Sequence, residues 1–230
     1  MTTAQDIIYR ARVTLQDMVE IRWSDLELLG WLSDGLLELA RLRPESSAQY
    51  GTFICEEGPR QDLTRADSGV DHALALLDVV RNLSPESSQR AVIQGDQMVL
   101  ATQRRLWPAD VSTYDIEQWV IDGRAPTSFL VYPGAIAGTE LEVLYSATPQ
   151  PVSALSDSVP MGDQYRGQLI DYVLYRAYQK DAEYTRNPQA SMSAYQTFMA
   201  GTQAIYPSEQ AVVDAASGPA QSSARSRASA

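Results

Sequence analysis

A capped, leucine-striped helix near the start of the chain constrains the fold more than any other stretch. Ser24 followed three residues later by Glu27 is a capping box, in which the serine hydroxyl and the glutamate carboxylate satisfy two otherwise orphan backbone N–H groups. Leu28, Leu29, Leu32, Leu36, Leu39 and Leu42 then recur at three- and four-residue steps, with Asp25, Glu38, Arg41 and Arg43 between them, until Pro44 ends the pattern. Such a helix needs other elements to cover its apolar face.

Asp6 to Val19 reads as a first helix, with Ile7, Ile8, Ala11, Leu15 and Met18 on one stripe. The short link Glu20-Ile21-Arg22-Trp23 makes it the antiparallel neighbour of the capped helix. After Pro44 the period changes. Tyr50–Glu56, Gln89–Ile93, Ser128–Tyr132 and Glu140–Tyr145 read as strands, and Pro133-Gly134 predicts a turn that joins the last two as a hairpin. Asp71–Val80 fits helix in its first half and strand in its second, and Gly95–Leu106 reads as a short helix ending at Trp107-Pro108. The helical pattern returns over Tyr165–Asp181, is broken at Asn187-Pro188, and resumes over Gln189–Gln203. From Pro207 the chain is rich in Ala and Ser, a composition that buries too little apolar surface to order alone.

The expected fold class is α+β: a bundle of about four helices, two N-terminal and two C-terminal, with a β-rich central insertion and a low-complexity C-terminal tail. The corresponding organisation is an N-terminal helical pair at 1–47, a β-rich region at 48–160, a second helical pair at 161–206 and a flexible tail at 207–230.

The chemistry of the side chains excludes more than it suggests. One cysteine (Cys55) and one histidine (His72) provide neither an internal disulfide nor a soft-ligand zinc site, and no metal or cofactor is expected. There is no nucleophile elbow and no glycine-rich phosphate loop. The carboxylates Asp171, Asp181 and Glu183 on the third long helix are the one pattern open to a carboxylate-dependent hydrolase acting on cell-wall glycan. With Lys180 and Arg186 beside them, they read more simply as a solvated, ion-paired helix face. Trp23, Trp31, Trp107 and Trp119 lack the basic groove that a nucleic-acid stacking platform needs, so core and interface roles are expected. No apolar run approaches the ~20 residues of a membrane span, and Met1–Asp6 does not open a secretory signal, so no membrane partner is expected.

Taken in order, three stretches resemble the head-to-tail adaptor proteins of tailed bacteriophages. Arg22–Gly35 is similar to the family's opening helix, Phe129–Gly134 followed by Leu141–Pro149 to its central hairpin, and Tyr172–Glu183 to its long closing helix. The resemblance implies a non-enzymatic structural protein of the virion neck, assembled in the host cytoplasm into a homo-oligomeric, dodecameric ring. It implies the portal protein as partner above, a tail, nozzle or tail-completion protein below, and packaged DNA passing through the channel without specific binding. A tail-completion protein that binds the tail tube is the neighbouring alternative. The C-terminal stretch is then the candidate portal or subunit interface, through Tyr206, Val212, Val213, Arg225 and Arg227.

The formal charge of -11 bears on the DNA directly, because phosphate binding needs clustered Lys and Arg, whereas an acidic wall repels phosphates. The isolated protein is expected to form no complex with random duplex DNA at ~0.15 M salt. A salt-sensitive, micromolar complex in a fluorescence-anisotropy titration would contradict this reading of the charge.

Overall fold

The leucine-striped helix forms as its sequence requires. In the computed structural model, which describes residues 2–104, 111–180 and 187–204, helix α2 spans Asp25–Leu42 and both halves of the Ser24/Glu27 capping box are made. Leu28, Leu29, Leu32, Leu36 and Leu39 are buried, whereas Leu42 lies partly in solvent beyond the end of the stripe. Each buried leucine contributes ~1.5–3 kcal/mol relative to exposure, which makes this face the main source of cohesion on the helical side.

Three helices supply the cover. Helix α1 (Ala4–Leu15) contributes Ala4, Ile7, Ile8 and Ala11; α4 (Arg166–Lys180) contributes Leu169, Tyr172, Val173, Leu174 and Ala177; α5 (Asn187–Ala204) contributes Phe198. The approach of α4 to α2 is close, since a Cβ on Gly35 would lie 2.8 Å from the Tyr172 ring. Helix α1 starts two residues earlier than its apolar stripe predicts because Thr3 and Asp6 form a second capping box. It stops at Leu15, short of Val19, because Gln16 adopts the left-handed conformation.

The strands are β1 (Ala48–Ile54), β2 (Gly58–Asp62), β3 (Ala73–Asn82), β4 (Ile93–Gln94), β5 (Gln118–Ile121), β6 (Ser128–Ala135) and β7 (Glu140–Ala147), with helix α3 (Gln97–Gln103) between β4 and β5. They form a three-stranded antiparallel sheet in the order β1-β7-β3 and a four-stranded sheet in the order β2-β6-β5-β4, whose β4-β5 pair is parallel. The sheets share one interior. Phe53 of β1 meets Phe129 of β6 edge-on with ring centroids 5.3 Å apart, and Trp119, Val131, Leu141, Val143 and Val79 fill the space around them. Buried Asn82 ties the two layers by bonding both the N–H and the C=O of Ile116 at 2.9 Å.

The expected fold class, a four-helix bundle with a β-rich insertion, is therefore corrected. The described residues contain five α-helices and two sheets, a mixed α+β fold, and the strands enclose a core of their own. The predicted hairpin is also overturned. Pro133-Gly134 is not a turn: β6 runs through it to Ala135, the chain reverses at Ile136–Thr139, and β7 enters the other sheet between β1 and β3. The ambiguous 71–80 stretch is strand because β7 offers it a full ladder, while Gln89–Ile93 reduces to a two-residue strand that begins at Ile93. The predicted Gly95–Leu106 helix is α3, capped by Asp96 and ending at Gln103.

Leu32 is fully buried in the helical core. Replacing it with alanine should cost ~2–5 kcal/mol if the site stays closed, read as a lowered urea midpoint. An unchanged midpoint would show that the leucine face is not the seat of cohesion.

Candidate assembly surface

The turn between α1 and α2 is held by buried charge. Its centre is Asp17, whose buried carboxylate accepts hydrogen bonds from the backbone N–H groups of Ile21 (2.9 Å), Arg22 (3.2 Å) and Trp23 (3.1 Å). Arg12, also buried, donates from Nη1 to the Asp17 carbonyl at 3.1 Å and lies 3.6 Å from its carboxylate, while Nη2 donates to Asp25 at 2.6 Å. One guanidinium thus joins the end of α1, the turn and the first residue of α2. Trp23 closes the turn from below, with the Arg22 guanidinium 5.7 Å above its ring.

Burial alone raises the Asp17 carboxyl, but three backbone N–H bonds and the Arg12 charge outweigh it and hold the group below the usual carboxylate range. It is therefore ionised at neutral pH. The consequence is a loop held rigid from within while it presents apolar side chains outward: Val19 is 75% exposed, Ile21 83% and Leu26 78%. No described residue covers these apolar groups on their braced frame, which makes the turn a candidate contact surface. A second bond set braces the flank of α2, where Lys180 of α4 pairs with Glu27 and Arg176 lies 3.5 Å from Asp34.

The expected site residues fall differently. Tyr206, Val212, Val213, Arg225 and Arg227 lie outside the described residues, as do Trp107, Asp181 and Glu183. What is described nearby is where their segment departs: Arg43, at the end of α2, donates to the carbonyls of Thr202 (2.8 Å) and Gln203 (3.0 Å) and so pins the last turn of α5. Asp171 sits half-buried on α4, where desolvation raises its carboxyl. His72 lies on the exposed approach to β3 with positive φ. Trp23 and Trp119 are core residues. No group of three potential metal ligands occurs among the described residues, and no helix among them is long and apolar enough to cross a membrane. The features missed from sequence are Arg12, Asp17, Val19 and Ile21. Their signal is the non-helical run before Ser24, which leaves backbone N–H groups in need of an acceptor that only Asp17 is placed to supply.

Since the folded Asp17 carboxyl titrates below its unfolded value, its contribution is complete above the ordinary carboxylate range and is lost as pH falls through the folded value. Asp17→Asn should destabilise the protein by ~3 kcal/mol at neutral pH, because an amide nitrogen cannot accept the N–H bonds that one carboxylate oxygen takes from Arg22 and Trp23, even though Arg12 keeps Asp25. It should also flatten the fall of Tm below pH ~4. Calorimetry at a series of pH values checks both, and a variant matching the wild type at neutral pH and in acid would refute the brace.

No curated protein matches the chain. A family model, that of the SU10 adaptor protein, matches residues 2–223. That span covers both sheets, all five described helices and most of the C-terminal stretch. On this match the chain belongs to the SU10 adaptor protein family, structural adaptors of phage virions.

Proposed function

We propose that the chain is one subunit of a dodecameric ring in the virion neck, joining the portal protein above to a tail, nozzle or tail-completion protein below. The ring acts by contact alone and catalyses nothing. The observation that carries this reading is the braced α1–α2 turn: a loop immobilised by buried Arg12 and Asp17 while Val19 and Ile21 face solvent is built for a partner. An exposed apolar loop gains affinity from such bracing, because little conformational freedom is left to lose on binding.

The acidic balance suits the same role. With a formal charge of -11 per subunit, a channel walled by copies of this chain repels phosphates and lets packaged DNA slide. The stretch 207–230 serves as the portal-binding arm and, with Tyr206 just before it, makes contact through Val212, Val213, Arg225 and Arg227. Each such contact is weak, and repetition around a ring makes the set strong.

Particles assembled without this chain should accumulate as DNA-filled heads and separate tails, and purified protein added back should restore joining. A chain lacking residues 208–230 should keep the melting behaviour of the full chain and restore joining poorly. Joining that proceeds without the chain would overturn the adaptor reading. Equal rescue by the truncated chain would move the portal contact into the folded body.

A further inference from the structure

Helix α2 carries a second stripe, turned away from its leucine face. Leu26 is 78% exposed and Leu37 40%, and Gly30 lies between them on the same side. The glycine is not required by packing within the subunit, since a Cβ placed there would meet nothing within 4 Å, in contrast to Gly35 against Tyr172. Glycine is the poorest helix former after proline. Inside α2 it leaves a shallow slot beside Leu26 that no described residue fills, while Ser33, one turn on toward Leu37, is bonded in both directions to Val152.

Helix α1 carries the matching ridge. Tyr9 and Val13, one turn apart, are 58% and 51% exposed and border a groove closed on the other side by Ile170 of α4. The two faces also differ in charge. Arg10 and Arg166 stand beside the α1 ridge, both close enough to Asp6 to act on its carboxylate. The α2 stripe is flanked by Asp34 and Glu38, whose ion pairs among the described residues are long, 3.5 Å to Arg176 and 4.0 Å to Arg41. Ridge and slot lie on separate helices of one subunit, so joining one copy's ridge to another's slot leaves a free ridge and a free slot at the ends. That is the property of a heterologous interface, which closes into a ring when the rotation permits.

We propose that the Tyr9–Val13 face of α1 seats on the Leu26–Gly30–Leu37 face of α2 in the next copy, with Arg10 and Arg166 meeting that copy's Asp34 and Glu38. A second copy is the occupant because ridge meets slot and positive rim meets negative rim within one sequence. The inference rests on the ring reading above and names its subunit contact.

Two variants of the full chain that each add one cysteine, Tyr9→Cys and Leu26→Cys, test it. The native Cys55 does not interfere, since it is buried at 2% exposure and burial pushes its thiol up to about 12. Treated with a short bifunctional maleimide, the equimolar mixture should yield a cross-linked dimer that is lost when either variant is treated alone. Adding Gly30→Trp to the Leu26→Cys chain should abolish that dimer without lowering the subunit's Tm, because a side chain at position 30 meets no described residue and helix propensity improves. A mixture that cross-links no better than its parents, dimers formed by one variant alone, or a Gly30→Trp chain that still cross-links would each overturn the contact. The ring is judged separately, by native mass spectrometry of the wild-type protein released from heads. A closed ring without the cross-link removes only this contact, and a cross-link within open chains removes only the ring.

Discussion

The need to cover one face of α2 organises the molecule. Five leucines on that face are buried. Covering it brings α1, α4 and α5 together from the two ends of the chain, with Val152 and Val159 of the link before α4, and leaves the strands of 48–147 to form sheets with their own interior. Two cores then exist, one of leucine and tyrosine between helices and one of phenylalanine, valine and tryptophan between sheets. The short helical turn at Pro44–Ser47 connects α2 directly to β1.

Once the leucine face is turned inward, the remaining surface of the helical side is decided by charge. Arg12 and Asp17 are too costly to bury unless each is fully partnered, and the α1–α2 turn is shaped to do so, winding three backbone N–H groups onto one carboxylate. The same winding turns Val19 and Ile21 outward. Buried polar groups thus set the shape of an apolar surface carried by a loop rather than by a helix or strand.

Much of this was legible in the residues, and what was missed has specific causes. The α2 start, its buried leucines and the presence of α4 and α5 follow from local signals: a capping box, a 3.6-residue period and a helix-breaking Asn-Pro. The sheet arrangement does not. Pro133-Gly134 carries turn chemistry, but β6 continues through it because Ala135 pairs with Gly58 and Gly134 accepts from Thr113, partners far away in sequence. Ala73–Leu77 has helical composition and becomes strand for a similar reason, since β7 supplies the ladder. Asp17 reads as an ordinary surface charge near a helix end, and its role emerges only when the backbone N–H groups of residues 21–23 are accounted for. Of the proposed contacts, the arm beyond Pro207 was suggested by composition, while the braced turn and the α2 slot depend on which way helices face once packed.

The family assignment supports a phage adaptor role, and the central claim of the reading proposed above is that the chain presents fixed surfaces to its own copies and to the proteins on either side of a neck. Electron cryomicroscopy of the assembled virion is the most direct measurement. The account predicts a ring between portal and tail in which density fits this fold, with the α1–α2 turn of every copy buried against a neighbouring protein. A neck whose density does not fit this fold, or a ring in which Val19 and Ile21 remain in solvent on every copy, would contradict it.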